Sequence, residues 1–262
     1  MKEELVYTDR QEKGRLFVHK HIPENSNGKL ILFFNPIFDE KKRVQRFQAE
    51  TARALCSKNY NVVRFDYFGT GDSEGQLYEF NLIQAVNDSL HLGNQFKNDA
   101  ECDTVIFLGI RIGADLAFKA ASLSNLADYL ILIEPVISGK HYITEQRTRR
   151  KAFFKFNNID PAYERIEING DIYEDHQGYP ISKINISFLE DLDIKNIEFK
   201  VKKIILCKLD FFFSNKRMME LREHLSSLCD LNFLQVKCPD FWSSLEEIDT
   251  KELTDSIIQN ID

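Results

Sequence analysis

The segment around residues 104–123 constrains the fold of this chain more than any other part of the sequence. Residues 104–109 (Thr-Val-Ile-Phe-Leu-Gly) form a near-continuous apolar run, which is typical of a strand buried on both faces of a sheet. Residues 112–123 contain four alanines, which let a helix pack closely against such a sheet. Gly109 and Gly113 flank the junction, and glycine tolerates the sharp bend that joins a buried strand directly to a helix. The side chain of Arg111 is therefore expected to project from the top of this bend.

Strand-like runs alternate with helix-length periodic segments along the whole chain, which predicts βαβ units and a mostly parallel sheet with helices on both faces. Residues 4–7 and 15–19 are expected to form an antiparallel hairpin ahead of the central strands. Central strands are expected at residues 29–35, 61–66, 104–109, 129–133, 203–207 and 231–237, and helices at 43–58, 82–96, 112–123 and 249–261. The fold class is therefore α/β.

Roughly sixty residues separate the strand at 129–133 from the next credible strand, whereas most connections in such folds are much shorter. This spacing predicts a cap at residues 140–198, inserted into a core domain made of residues 1–139 and 199–262. The cap should lie over the carboxyl edge of the sheet, where open α/β sheets bind their ligands.

The net charge is −7, which argues against a nucleic-acid partner because phosphate binding needs a dense basic field. No stretch approaches the roughly 18 apolar residues of a membrane span, and the amino terminus lacks the apolar run of a signal peptide. These features predict a cytoplasmic protein. Five cysteines without paired spacing are expected to be structural thiols, and we expect no metal site and no cofactor.

Six segments of the chain are similar to motifs of a known family. They are residues 35–43, 65–75, 109–114, 134–139, 178–182 and 239–242. From about residue 14 to 248 the chain resembles α/β-hydrolase-fold proteins of the serine aminopeptidase S33-like kind. It looks most like the hydrolase 2 group associated with exosortase A and exopolysaccharide loci. Members of that group are named for their fold, so the resemblance implies an α/β-hydrolase fold with an inserted cap and says little about the reaction.

In this resemblance, residues 109–113 are the Gly-x-Ser-x-Gly nucleophile elbow, with Arg111 at the position of the serine. Arginine often stands at this position in the hydrolase 2 group. A guanidinium only donates hydrogen bonds and stays protonated, so Arg111 cannot attack a carbonyl as an activated hydroxyl does.

The family order is nucleophile, acid, histidine, and the last two positions are also informative. Asp210 stands where the acid is expected, although it fits equally well as a helix cap or strand end. Residues 238–242 (Cys-Pro-Asp-Phe-Trp) stand where the histidine is expected and contain none. Ser138 and His141, just past a strand near the start of the cap, are the remaining catalytic candidates. Loss of the serine or the histidine alone costs such an enzyme on the order of 10⁶ in kcat.

A partly buried guanidinium needs an anionic partner, because leaving it unpaired costs several kcal/mol. Five acids are expected at the carboxyl ends of strands: Asp39, Glu40, Glu134, Asp210 and Asp240. In one alternative, such an acid holds Arg111 in a buried ion pair that closes the pocket. In the other, Arg111 and the N–H groups of Ile112 and Ile37 hold an anionic ligand, with help from the basic segment at residues 147–155.

Three hypotheses about function follow. The first is a degenerate, non-catalytic hydrolase that binds a small anionic or acyl ligand, or a protein partner, in carbohydrate or cell-surface biosynthesis. The second is an unconventional hydrolase or acyl transferase that uses Asp39, Glu40, Asp210 or His141 for acid and base chemistry. The third is an interaction scaffold, in which Phe153, Phe154 and Phe156 of the cap contact another protein.

Overall fold

The computed structural model describes residues 1–160, 164–210, 216–244 and 246–261. The strands in chain order are β1 Lys2–Asp9, β2 Arg15–Ile22, β3 Lys29–Phe34, β4 Asn61–Phe65, β5 Thr104–Ile110, β6 Tyr129–Ile133, β7 Arg165–Ile168, β8 Asp171–Asp175, β9 Pro180–Ile181, β10 Lys203–Leu209 and β11 Asp230–Val236. The helices are α1 Phe38–Ser57, α2 Leu82–Asp99, α3 Ile112–Leu123, α4 Gly139–Phe156, α5 Lys183–Asp191, α6 Lys216–Ser226 and α7 Lys251–Asn260.

Eight strands form the main sheet, in the order β1-β2-β4-β3-β5-β6-β10-β11. The pairs from β4 to β11 are parallel, whereas β1 pairs with β2, and β2 with β4, in antiparallel fashion. The predicted α/β class, the mostly parallel sheet and the leading hairpin are thus confirmed.

The sheet separates two apolar cores, and β3 illustrates why its sequence reads as a continuous apolar run. Leu30, Leu32 and Phe34 pack into the core formed with α2, α3 and α6. Ile31 and Phe33 point to the opposite face and pack into the core formed with α1 and α7. Both faces of the strand are buried, so every position is apolar instead of every second one.

Most of the predicted central elements end within three residues of the observed bounds, but α1 differs. It begins at Phe38, five residues before the predicted start, and its first turn contains Asp39 and Glu40. Carboxylates are favourable in the first turn of a helix, where the unpaired N–H groups and the helix dipole attract negative charge. The sequence pattern missed this turn because apolar periodicity begins only farther along the helix.

Residues 140–198, named here the cap segment, lie between β6 and β10. They contain most of α4, the antiparallel sheet β7-β8-β9 and α5. Asn185 of α5 ties the segment to the main body: its Oδ1 accepts from the Leu82 N–H at 2.8 Å, and its Nδ2 donates to the Phe80 carbonyl at 2.8 Å. None of the described helices is both long enough and apolar enough to cross a lipid bilayer.

Candidate functional site

The bend between β5 and α3 has the sharp geometry that the two glycines predicted. Arg111 stands at the amino terminus of α3 with φ 55° and ψ −129°, a backbone conformation that residues other than glycine rarely adopt. Its N–H donates to the Ile133 carbonyl at 2.9 Å. A Cβ atom at Gly109 or Gly113 would lie closer than 3.0 Å to neighbouring backbone atoms, so both positions require glycine.

Three elements hold the Arg111 head group at the carboxyl edge of the sheet. Its Nε lies 3.5 Å from Oε1 of Glu40, in the first turn of α1. Its Cζ lies 4.9 Å from the centroid of the Trp242 ring, in the segment after β11, and its Nη1 lies 3.4 Å from the Glu134 carbonyl oxygen. The Arg111 side chain is only 15% exposed and that of Glu40 only 8%. Of the five acids considered, Glu40 is the one that the structure places in an ion pair with Arg111.

Burial dominates the electrostatics of this pair. It raises the pKa of Glu40, while the positive charge of Arg111 acts in the opposite direction. Burial is the largest single effect and lowers the pKa of Arg111, but the negative charges around the guanidinium, that of Glu40 above all, together outweigh burial, and the pKa of Arg111 is raised. The guanidinium therefore keeps its proton and remains a cation without nucleophilic character.

The segment expected to supply an imidazole supplies an indole instead. Trp242 follows β11, where the sequence motifs led us to expect a histidine, and it covers the guanidinium of Arg111. A cation over the face of a tryptophan ring is attracted by the ring quadrupole, so Trp242 stabilises Arg111 and accepts no proton from it. Trp242 is part of the motif at residues 239–242, but the sequence did not predict its contact with Arg111.

The three catalytic candidates make contacts other than with Arg111. Asp210 is exposed and accepts from Gln235 Nε2 at 2.6 Å and from Lys208 Nζ at 3.3 Å, and these bonds lower its pKa. Ser138 precedes α4 and is half-buried, whereas His141 is exposed in the first turn of α4. Within the described residues, no hydrogen bond or ion pair joins any of the three to Arg111.

The remaining acids make other contacts. Asp39 is half-exposed and accepts from the Tyr179 hydroxyl at 3.0 Å. Asp240 accepts from the hydroxyl of Ser243. Glu134 is buried and accepts from the Leu209 N–H at 2.7 Å, which links the ends of β6 and β10, and burial raises its pKa.

Ile112 and Ile37 both lie at the carboxyl edge, Ile112 as the first residue of α3 and Ile37 before α1. Both side chains are buried. In the part of the chain that the structure describes, neither backbone N–H donates to another protein group. That they hold an anion stays a prediction.

Asp115, one turn into α3, is a buried acid that sequence reasoning overlooked. Its carboxylate accepts from the N–H groups of Val136 and Ile137, both at 2.8 Å. Ile137 has φ 74°, an unfavourable value for a β-branched residue, so Asp115 fixes a strained turn between β6 and α4. The signal in the sequence was a lone carboxylate within an otherwise apolar helix.

Asp115 should make stability depend on pH. Burial raises its pKa from 3.8 to about 7, so the folded protein binds this proton more tightly than the unfolded chain. The contribution of Asp115 to the free energy of unfolding is therefore fully present below about pH 4. It decreases as the pH rises to 7, by up to about 1.4 kcal/mol per pH unit. In urea unfolding from pH 4 to 7, the wild-type protein should lose stability relative to Asp115→Asn. Parallel pH profiles for the two proteins would contradict this expectation.

A cavity of about 180 Å³ lies above Glu40, between the carboxyl edge and the cap segment. We name it the Glu40 cavity. Its walls include Glu40, Arg43 and Trp242 from the main body, and Tyr142, Arg149 and His176 from the cap segment. Five of the side chains that border it are charged: Asp39, Glu40, Arg43, Arg149 and Arg150.

A second and larger cavity, of about 610 Å³, lies on the other side of Phe38. Its walls include Lys41 from α1 and Tyr67 and Thr70 from the glycine-rich turn after β4. The Nζ of Lys41 lies 2.6 Å from Oδ1 of Asp66, so its charge is already neutralised. Phe38 and Tyr179 border both cavities and separate them.

One cluster of described residues has the spacing of a metal site, away from the elbow: Glu3, His19 and His21. Arg64 donates to Nδ1 of His19 at 2.7 Å and to Nε2 of His21 at 3.3 Å. A neutral imidazole has one lone pair, and these bonds use it. Nε2 of His19 therefore donates to Glu3 at 2.8 Å, whereas Nδ1 of His21 lies 3.8 Å from Glu3, beyond hydrogen-bonding distance. Burial lowers the pKa of both histidines, that of His21 to about 4. We interpret the cluster as a link between β1, β2 and β4.

Comparisons with known proteins show the fold of this chain. No protein-family model and no curated protein matches it. Solved structures do match. Est1E from Butyrivibrio proteoclasticus, with ferulic acid bound, is 12% identical with a TM-score of 0.67, covering 98% of this chain and 97% of its own. A putative hydrolase from Agrobacterium vitis is 13% identical with a TM-score of 0.65, covering 100% of both chains.

An α-β serine hydrolase homologue from Coxiella burnetii is 14% identical with a TM-score of 0.59, covering 100% of this chain and 99% of its own. The chain therefore has the α/β-hydrolase fold. At these identities the similarity concerns the fold alone.

Proposed function

We propose that this protein is a catalytically inactive member of the α/β-hydrolase superfamily that binds a small anionic or acyl ligand in the Glu40 cavity. One observation carries the proposal: at the position of the nucleophile, Arg111 is buried against Glu40 and Trp242. The side chain at the position where a nucleophile would have to react is therefore a cation that already contacts Glu40 and Trp242.

The loss of catalysis follows from the chemistry of the missing groups. Hydrolysis through an acyl-enzyme needs a nucleophile and a base within hydrogen-bonding reach of each other. Here the elbow carries a guanidinium and the segment after β11 carries an indole. An oxyanion site and binding alone give roughly 10³ to 10⁴ over the rate in water, which is too little for a conventional esterase.

The charges around the cavity favour an anion. Arg43, Arg149 and Arg150 border it, and Arg111 lies beneath Glu40. Arg150 is buried and contacts Glu164 and Glu174, whereas Arg149 is about half exposed and pairs with Glu145 of its own helix. Arginine binds carboxylates and phosphates well because its planar fork donates two parallel hydrogen bonds. A protein with a similar fold also binds an organic acid, since the structure of Est1E contains ferulic acid.

The proposal includes finer assignments that rest on the sequence motifs. We place the protein near the S33-like hydrolase 2 group, in a cytoplasmic role in exopolysaccharide or other cell-surface carbohydrate synthesis. A protein partner is compatible with this role, because Phe153 and Phe156 of α4 are exposed while Phe154 is buried.

Catalytic inactivity is tested with a fluorophosphonate probe and p-nitrophenyl acetate. We expect no labelling and no turnover above buffer, either for the wild-type protein or for Arg111→Ser, because the variant still lacks a general base. A burst of p-nitrophenolate from Arg111→Ser would contradict this. Wild-type turnover that survives Arg111→Ser and disappears in Asp210→Asn would support the unconventional hydrolase instead.

Binding is tested by thermal shift with hexanoate, gluconate and inorganic phosphate. A ligand at 100 times its Kd stabilises the folded state by about 2.7 kcal/mol, which gives a measurable rise in Tm. Arg149→Gln should weaken the response. Arg46→Gln is the matched control, since Arg46 is similarly exposed and also pairs with a glutamate one turn away, but lies outside the cavity. No response to any anion would disprove the binding function.

A further inference from the structure

The residues that line the Glu40 cavity carry buried polar atoms that make no hydrogen bond within the described part of the protein, although Glu40 lies in an ion pair with Arg111. They are both carboxylate oxygens of Glu40, the Tyr142 hydroxyl, Nδ1 of His176 and Nε of Arg150. All four side chains are more than nine-tenths buried. Buried polar atoms are nearly always hydrogen-bonded in proteins, so this convergence around one cavity indicates groups that bond to its contents.

Most of these atoms are hydrogen-bond acceptors. A carboxylate has no proton to donate. His176 directs Nε2 toward Glu174 Oε2 at 3.3 Å, and burial lowers its pKa, so the ring is neutral and its Nδ1 carries the lone pair. The Tyr142 hydroxyl can donate or accept a hydrogen bond, and Nε of Arg150 can only donate one. A ligand that satisfies this set has to bring several donors of its own.

The charges around the cavity decide what kind of hydrogen-bond donors the ligand can carry. The cavity walls contain three arginines and two acids, and Arg149 is about half exposed, so a ligand ammonium group would lie beside guanidinium groups that repel it. Hydroxyl groups donate without adding charge. A simple carboxylate, by contrast, would satisfy the arginines but leave the oxygens of Glu40 and the nitrogen of His176 unbonded.

We infer that the Glu40 cavity binds a polyhydroxylated anion, whose hydroxyl groups donate to Glu40 and His176 and whose acidic group faces Arg43 and Arg149. This rests on the proposed function and deepens it by naming the ligand class. The cavity has a volume of about 180 Å³, which restricts the ligand to a small molecule.

The inference is tested by calorimetry with three six-carbon probes: gluconate, hexanoate and sorbitol. Gluconate combines hydroxyl groups with a carboxylate, hexanoate has the carboxylate alone, and sorbitol has the hydroxyl groups alone. We expect gluconate to bind at least tenfold more tightly than either of the others. Equal affinity for hexanoate and gluconate would overturn the hydroxyl assignment but leave anion binding standing. Tighter binding of sorbitol than of gluconate would overturn the anionic class, and no binding of any probe would overturn both proposals.

Tyr142→Phe provides a second readout that a purely structural role would not give. It should weaken gluconate about five- to tenfold and leave hexanoate unchanged, because one hydrogen bond to the ligand is lost. Its Tm without ligand should stay the same or rise, because a buried hydroxyl without a protein partner is removed. Tyr67→Phe is the matched control: Tyr67 is equally buried but donates to the Asn35 carbonyl at 3.1 Å. It should lose Tm and keep its gluconate affinity, and unchanged gluconate binding in Tyr142→Phe would contradict the inference.

Discussion

Replacing Glu40 by alanine is expected to lower the free energy of unfolding by about 3 to 5 kcal/mol, because it leaves the Arg111 guanidinium buried without its charged partner. The pair is buried on both sides, with 15% exposure for Arg111 and 8% for Glu40. Removing a single charge from such a pair is far more costly than removing both. Urea unfolding of the purified variant measures the effect.

Two further variants separate burial from charge. The double variant Glu40→Leu with Arg111→Met removes both charges and keeps apolar volume, so it should recover most of the loss. Glu50→Ala removes the partner of an exposed pair, with Arg46 Nε and Glu50 Oε1 2.8 Å apart, and should change stability by less than about 1 kcal/mol. A loss below 1 kcal/mol for Glu40→Ala itself would mean that the Arg111 head group does not lie against Glu40.

Replacing Gly113 by valine is expected to destabilise the protein by at least about 3 kcal/mol, because α3 has no room to move away from β3. Even a Cβ atom at this position would lie closer than 3.0 Å to the carbonyl oxygens of Phe34 and Asn35. Backbone atoms at the end of a central strand cannot shift without breaking the sheet, and valine adds two methyl groups to the clash. Thermal unfolding of the variant is the measurement.

The matched control is Gly93→Ala in the middle of α2. A Cβ atom there would lie 2.8 Å from the end of the Leu126 side chain, which can rotate, and at ordinary contact distance from Leu32 and Phe107. Alanine also favours the helix by about 1 kcal/mol over glycine. The control should therefore unfold within about 1 kcal/mol of the wild-type protein. An unchanged Tm for Gly113→Val would contradict the close packing of the elbow itself.

Local patterns were enough to predict the architecture. Apolar runs such as residues 29–34 identify strands buried on both faces, and glycines at positions 109 and 113 identify the bend between β5 and α3. These features are local because a strand or a bend is specified by the residues that form it. The sequence also shows which residue types stand at the elbow and after β11, so the absence of serine and histidine there needed no coordinates.

The contacts of the site could not be predicted in the same way. From the sequence, any of five acids could have formed an ion pair with Arg111. The positions of the loops at the carboxyl edge decide that Glu40 forms it. The early start of α1 turns Glu40 toward the elbow, and sequence periodicity did not detect that start. Asp115 was missed because its partners are backbone N–H groups, which carry no sequence signature.

The amino-acid sequence by itself therefore determined the α/β framework and the chemistry of the residue at its sharpest bend, since periodicity and side-chain type are properties of single segments. The tertiary structure alone decided that Arg111 is neutralised by Glu40 and covered by Trp242, and that Glu40, Tyr142 and His176 converge on one cavity. These residues come from segments far apart along the chain. Their proximity depends on how the sheet, α1 and the cap segment pack together, which no single segment encodes.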